Sequence, residues 1–213
     1  GLAAAHPVAR MVEGSDGYIC GTTSFGGSAD RGTIFRISRT GRETVVHEFA
    51  GGAVDGSYPG ALAVATDGNL YGLTWGGGAY DRGTIFRLSP AGEFTSVYSF
   101  TGGADGAGPS QLAQGVDGSL YGLARYGGPN GKGAIFRLDP SGAPTVLYAF
   151  GSSPVDGGYP TAFMQARDGS FYGAPQSSFY FFDSTAFRIL LDGTYIPLHT
   201  FDATSEGRLV QTL

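Results

Sequence analysis

One period runs through almost the whole chain, and it limits the possible folds more than any other feature. The Asp-Gly pairs at Asp16, Asp67, Asp117 and Asp168 are 51, 50 and 51 residues apart. Phe35, Phe86, Phe136 and Phe187 keep those intervals, and so do Phe49, Phe100, Phe150 and Phe201. A period of this size marks supersecondary units that cannot bury their apolar faces alone and must stack on their neighbours.

The second copy shows what each unit contains. Pro59–Ala65 is a short apolar run closed by Thr66-Asp67-Gly68, and Asn69–Trp75 is aromatic and aliphatic and is followed by glycines 76–78. Gly83–Leu88 stops at Ser89-Pro90-Ala91-Gly92, and Phe94–Phe100 leads into the loop Thr101–Gly106. Short β-prone runs bounded by Gly, Pro and Asp predict four strands, and no segment has sustained helical spacing. The expected class is all-β: a β-propeller-like array of four four-stranded antiparallel blades with one surplus C-terminal strand. Residues 1–6 form a lead-in, blades occupy 7–58, 59–108, 109–159 and 160–207, and 208–213 open an incomplete fifth repeat. The small residues of the first strand (Ala63, Ala113, Gly14, Gly115) place it innermost. Phe35, Phe86, Phe136 and Phe187, with Ile34, Ile85 and Ile135, are the expected core. Gly72, Gly122 and Gly173 follow an aromatic in mid-strand, where a side chain is not expected to fit.

Three runs carry a family resemblance: Asp67–Gly72, Asp81–Leu88 and Phe100–Gly106 resemble the bacterial GloVer tandem repeat, over residues 7–207. The fourth copy departs from the pattern. It has Ser177-Ser178 where glycines stand elsewhere, and the run Phe179–Phe182 replaces the Asp/Arg/Gly loop. The resemblance implies a propeller-like fold and an exported, surface-located protein, and it implies no particular activity.

Composition narrows the partners. The net charge is −5, with a single lysine, Lys132, and no Lys/Arg run, so nucleic acid and anionic membranes are not expected partners. No apolar stretch approaches the roughly 20 residues needed to cross a bilayer, so membrane insertion is not expected. The lone Cys20 occupies the column of Tyr71, Tyr121 and Tyr172 and reads as a packed core thiol.

Four arginines share one column: Arg36, Arg87, Arg137 and Arg188. A ring of guanidinium groups would bind a carboxylate-bearing glycan bidentately, while the scaffold reading ties each to its own or the neighbouring blade. The loop residues Asp55, Asp105 and Asp156 are weak calcium candidates, since hard cations collect several oxygens. Otherwise no metal or cofactor is expected. His47 and His199 share a column with Tyr98 and Tyr148, which marks it as a packing column. No GxSxG, HExxH or P-loop pattern occurs, so the chain is expected not to be an enzyme.

The expected role is a non-catalytic extracellular or cell-surface module, structural or adhesive, whose partners are other copies of itself. The first alternative is a ligand- or glycan-binding propeller using the arginines or the aromatics Trp75, Tyr126 and Tyr180. The second is a glycan-active enzyme. Assembly is expected through the surplus strand Arg208, Leu209, Val210, Gln211, Thr212 and Leu213, which aligns with Ala61–Val64 and would add to a neighbouring copy, head to tail, to form a ring or a filament.

Overall fold

The computed structural model describes residues 5–7, 11–139, 142–153, 155–175 and 184–201. Within them the chain is all-β, with four antiparallel sheets that follow the repeat. The first sheet holds β1 (Ala5–Pro7), β2 (Val12–Glu13), β3 (Ile19–Phe25), β4 (Thr33–Ile37) and β5 (Glu43–Glu48). Here β1 and β2 pair with opposite ends of β3, so together they take the place of one inner strand. The second sheet is β6 (Gly56–Val64), β7 (Leu70–Gly77), β8 (Thr84–Leu88) and β9 (Phe94–Ser99). The third is β10 (Ala107–Gln114), β11 (Leu120–Tyr126), β12 (Ala134–Leu138) and β13 (Pro144–Ala149). The fourth is β14 (Pro160–Gln165), β15 (Phe171–Pro175), β16 (Ser184–Ile189) and β17 (Tyr195–Phe201). The surplus strand 208–213 lies outside the described residues.

Each blade closes its first hairpin as the Asp-Gly pairs require. Gly17, Gly68, Gly118 and Gly169 have φ of 80–81°, which a side chain disfavours. The preceding Asp accepts from the backbone N–H two residues on, at 2.9–3.1 Å. In the outer hairpin the register slips at one place in every sheet: Ile34/Phe35, Ile85/Phe86, Ile135/Phe136 and Ala186/Phe187. A bulge repeated in this way sharpens the twist of each blade at the same level.

Strand extents depart from the sequence reading at one end. The strand expected to start at Pro59 starts at Gly56, and β7 continues through Gly76 to Gly77 because Gly56 pairs with Gly77 and Ser57 with Gly76. Glycine composition suggests a break, but a cross-strand partner here completes the ladder.

Blades stack face to face. One face of the second sheet (Ala63, Leu73, Ile85, Phe100) packs on Leu112, Leu120, Phe136 and Leu138 of the third, and equivalent clusters join the first sheet to the second and the third to the fourth. Phe49 meets Phe86, Phe100 meets Phe136 and Phe150 meets Phe187, with ring centroids 5.4, 5.4 and 5.3 Å apart. The expected core residues are all buried, from Phe35 at 5% exposure to Ile34, Ile85, Ile135, Phe86, Phe136 and Phe187 at 0%. Phe86 lies across the strand pair from Gly72, where an added Cβ would come within 2.1 Å of its ring; Gly122 stands in the same relation to Phe136, at 2.2 Å. Cys20 is packed at 2% exposure, and burial, reinforced by Asp16 and opposed by Arg36, pushes its thiol up to about 11.

The chain crosses from blade to blade through a repeated clamp. The N–H groups of Tyr58, Gly108 and Tyr159 donate to the carbonyls of Arg31, Arg82 and Lys132 in the preceding blade, at 2.8, 2.9 and 2.7 Å. All three residues have φ between 54° and 57°. β6 and β10, which contain Tyr58 and Gly108, and β14, which follows Tyr159, are the inner strands, as their small residues indicated.

Candidate functional site

The inner strands surround an open axial cleft of about 990 Å³, lined by β2, β6, β10 and Phe163 of β14, with Ser24, Phe25 and Trp75 from the ends of β3 and β7. One mouth of this cleft is aromatic. Phe25 and Tyr58, which line it, meet edge to face at 5.7 Å across the first junction; beyond the lining residues, next to Trp75 across Gly108, Tyr126 meets Tyr159 at 6.0 Å across the third. At the second junction the residue equivalent to Tyr58 and Tyr159 is Gly108, and Trp75 and Tyr126 flank it. A Cβ there would lie 3.3 Å from the Trp75 Nε1 and 3.1 Å from the Tyr126 ring. Phe25, Trp75 and Tyr126 are 47%, 55% and 40% exposed.

Tyr58 and Tyr159 hold the left-handed conformation that Gly108 adopts freely. For a bulky residue this costs on the order of 1–3 kcal/mol, and such strain gathers at sites where a side chain is needed for something other than stability. The Arg31 guanidinium bonds the Tyr58 hydroxyl and stands 5.3 Å from its ring centroid, which fixes the ring at the mouth.

Polar groups sit below the rim. Ser24 Oγ reaches only the Pro59 carbonyl, at 3.5 Å, and Ser110 Oγ is buried with no hydrogen-bond partner. Gln111 accepts the Phe163 N–H on its side-chain carbonyl at 2.7 Å, so its NH₂ end is what it can offer a ligand. Among the described residues the cleft has one lining carboxylate, Glu13, held by Arg39 Nη2 at 2.7 Å.

The arginine column lies elsewhere, and each member faces groups of its own blade, with Arg36 Nε left buried without a hydrogen-bond partner. Arg188 donates from Nη2 to Asp168 and from Nε to Ser170 Oγ, both at 2.9 Å, and Arg137 Nε donates to Ser119 Oγ at 3.1 Å. Arg36 lies over the Tyr18 ring at 4.5 Å, and Arg87 faces the Asp67–Tyr71 pair electrostatically. Tyr71, Tyr121 and Tyr172 donate their hydroxyls to Asp67, Asp117 and Asp168 at 2.9–3.0 Å. Burial pushes the Asp67 and Asp117 carboxyls up, but hydrogen bonds, chiefly from Asn69 at Asp67 and from the Tyr121 hydroxyl at Asp117, outweigh it and hold both below the ordinary range. At Asp168 the Ser170 N–H is the main cause of the same lowering.

Asp55, Asp105 and Asp156 also stay apart, one in each interblade loop. Asp55 accepts from the Ala50 and Gly56 N–H groups at 2.8 Å and faces His47 Nε2 at 3.3 Å. Asp105 accepts from Thr101 N–H at 2.7 Å and the Tyr98 hydroxyl at 3.0 Å. Asp156 is fully buried and accepts from the Tyr148 hydroxyl at 2.7 Å and from the N–H groups of residues 151–153. Carboxylates surrounded by donors organise a loop, and among the described residues no three His, Cys, Asp or Glu side chains come together as a metal-ligand set. His47 packs as its column predicts, stacked at 3.6 Å on Phe94, whereas His199 is exposed on the fourth sheet.

Of the residues picked from sequence, Trp75 is at the cleft mouth and Tyr126 adjoins it across Gly108, the arginines and aspartates contact groups of their own blades and loops, and Tyr180 and 208–213 lie outside the described residues. Phe25, Tyr58 and Gly108 were missed. Their signal was available as the columns in which the copies disagree: Ser24-Phe25, Trp75-Gly76 and Arg125-Tyr126 at one level, Tyr58, Gly108 and Tyr159 at another.

A sequence profile of the Gloeobacter/Verrucomicrobia repeat matches residues 6–213, and the chain belongs to that family. No curated protein matches it significantly. Among solved structures it is similar to an auxiliary nutrient binding protein from Bacteroides ovatus (18% identity, 92% of this chain and 48% of that one, TM-score 0.58). It is also similar to a putative 6-phosphogluconolactonase from Bacteroides uniformis (22%, 92% and 55%, 0.59) and to a luciferin-regenerating enzyme (14%, 93% and 63%, 0.59). The chain thus spans from about half to just under two-thirds of the length of these structures. The likeness is one of fold, β-propeller-like in each case. It nevertheless corrects the expectation that the chain is not an enzyme, because two of these three neighbours are named as enzymes. The physical reason is that a propeller brings residues from separate blades to one axis, so its sites leave no linear motif of the kind whose absence was read as absence of catalysis.

Proposed function

We propose that this member of the Gloeobacter/Verrucomicrobia repeat family is a ligand-binding propeller module that takes a small organic molecule into its axial cleft. The observation that carries the reading is the combination of a cleft of about 990 Å³ with exposed aromatic side chains at one mouth and an unpartnered serine hydroxyl inside. Binding sites in propellers and barrels are concave, largely apolar and furnished with a few polar groups, typically in about 300–1,000 Å³. The structural or adhesive reading is the alternative, and its head-to-tail assembly through residues 208–213 falls outside the described residues. An exported, cell-surface setting suits a small-molecule receptor and is part of the proposal.

Gly60 offers a clean test. It lines the cleft, and a Cβ there meets nothing within 4 Å. Gly60→Phe should therefore fill the cleft without disturbing the blades. A thermal-shift screen of a small-molecule library should yield compounds that stabilise the wild type and have no effect on Gly60→Phe, at equal unliganded melting temperatures. Hits that stabilise both proteins equally would place the site elsewhere.

A further inference from the structure

We infer that the ligand of the cleft is a neutral oligosaccharide, with one sugar ring stacked on the Trp75 indole. This rests on the cleft being the binding site and adds the chemical class of what it takes.

Three observations select that class. The first is the contrast between aromatic columns. Phe49, Phe86, Phe100 and Phe136 are fully buried, whereas Phe25, Trp75 and Tyr126 expose 40–55% of their surface at the mouth, a costly arrangement for large apolar groups. Flat aromatic faces left in water want a ligand with a flat, weakly polar face, and the C–H face of a pyranose supplies one.

The second is the charge of the lining. Among the described residues the single lining carboxylate, Glu13, is paired with Arg39, and no Lys, Arg or His lines the cleft, although Arg31 stands on Tyr58 at its mouth and Arg125 lies against the Tyr126 ring. Within the described lining a phosphorylated or carboxylated ligand would meet no countercharge, the two nearby guanidinium groups being engaged with the rim tyrosines, and a cationic one would compete with Arg39 for the one lining carboxylate. The groups that remain are neutral: the Ser110 hydroxyl, the Ser24 hydroxyl on a long bond, and the NH₂ end of Gln111. These exchange hydrogen bonds with ring hydroxyls, each of which both donates and accepts.

The third is extent. The rim runs across three blade junctions, from Phe25–Tyr58 past Trp75 at Gly108 to Tyr126–Tyr159. A cleft at the upper end of the usual range and a rim of this length suit several linked rings better than one. Gly108 is specific to this arrangement. A side chain there would crowd both the indole and the Tyr126 ring, and the other two junctions carry tyrosine at that position.

Trp75 is the sole tryptophan, so intrinsic fluorescence reports on this position alone. The experiment titrates the whole chain with hexasaccharides of α- and β-glucan, xylan, mannan and chitin. Parallel arms use hexagalacturonate, glucose 6-phosphate and benzyltrimethylammonium. At least one neutral hexasaccharide should shift Trp75 emission saturably, with an affinity that changes less than twofold between 0.05 and 0.5 M salt. By calorimetry, Trp75→Ala should weaken that binding at least tenfold, and Gly108→Tyr should weaken it with Trp75 still present. The inference is overturned if no neutral hexasaccharide binds, if only a charged probe binds, or if saccharide binding survives Trp75→Ala undiminished. Non-saccharide library compounds that bind the wild type and fail on Gly60→Phe would sink the saccharide while leaving the cleft as the site. Loss of both signals would remove both.

Discussion

The blade junctions and the cleft mouth are made by the same repeat and obey opposite rules. At the junctions, three Phe–Phe pairs from successive blades have the same separation within 0.1 Å and the same tilt within 1°. At the mouth, one level holds Ser24-Phe25, Trp75-Gly76 and Arg125-Tyr126, and the other holds Tyr58, Gly108 and Tyr159. A contact that builds the array has to be repeated in every copy, because each blade is a neighbour of the same shape. A contact with a ligand has no such constraint, because the ligand is met by all blades together from one side. In an internally repeated protein, the positions that agree report scaffold, and the exposed positions that disagree are where recognition can differ from blade to blade.

The comparison makes a steep ranking of effects, and the largest belong to the junctions. Phe86→Ala should cost roughly 3–5 kcal/mol, the usual result of emptying a fully buried aromatic site, measured as a shift in urea denaturation. A loss below about 1 kcal/mol would mean that the junctions relax easily, and the distinction would lose its force.

Next comes overpacking at the glycine under each ring. Gly122→Ala places a methyl 2.2 Å from the Phe136 ring, which also packs against Phe100, and should cost about 1–3 kcal/mol. Gly60→Ala, in the open cleft, is the control and should stay within about 0.5 kcal/mol.

The pH dependence of stability should also follow the junctions. Burial, with help from Asp105, Asp117 and Asp156 respectively, pushes Tyr98, Tyr121 and Tyr195 from 10.0 up to about 12, and Cys20 goes from 9.0 to about 11. A group whose folded pKa is raised stabilises fully below its unfolded value and loses that contribution as pH rises, because the unfolded chain gives up its proton first. Urea midpoints should therefore fall from about pH 9 upward. The lowered carboxyls of Asp67, Asp117 and Asp168 act in the opposite direction: their contribution is present above 3.8 and is lost as pH falls through the folded values. A midpoint that stays flat between pH 9 and 12 would show that the junction tyrosines ionise without unfolding.

The smallest expected effect on stability is the one most informative about function. Trp75→Ala removes a side chain that is 55% exposed and should leave the urea midpoint within about 0.5 kcal/mol of wild type while weakening calorimetrically measured saccharide binding at least tenfold. A loss comparable to that of Phe86→Ala would assign Trp75 to the scaffold and merge the two regions.

The sequence by itself determined the repeat, the four strands per blade, the innermost place of the small-residue strand, the buried Phe and Ile columns, and the glycines that must stay bare. All of these follow from local propensity or from a contact made identically in each copy, and both leave a periodic signature. The tertiary structure alone decided that the arginine and loop-aspartate columns serve their own blades, since a guanidinium can satisfy a carboxylate four strands or one turn away and the sequence does not say which. It also decided that Phe25, Tyr58, Trp75 and Tyr126, which come from three blades and of which only Phe25 and Tyr126 share a column, form one rim. Residues from different blades become neighbours only when the stack curves around its axis, and that curvature is set by the twist and packing of whole sheets, not by any run of residues along the chain.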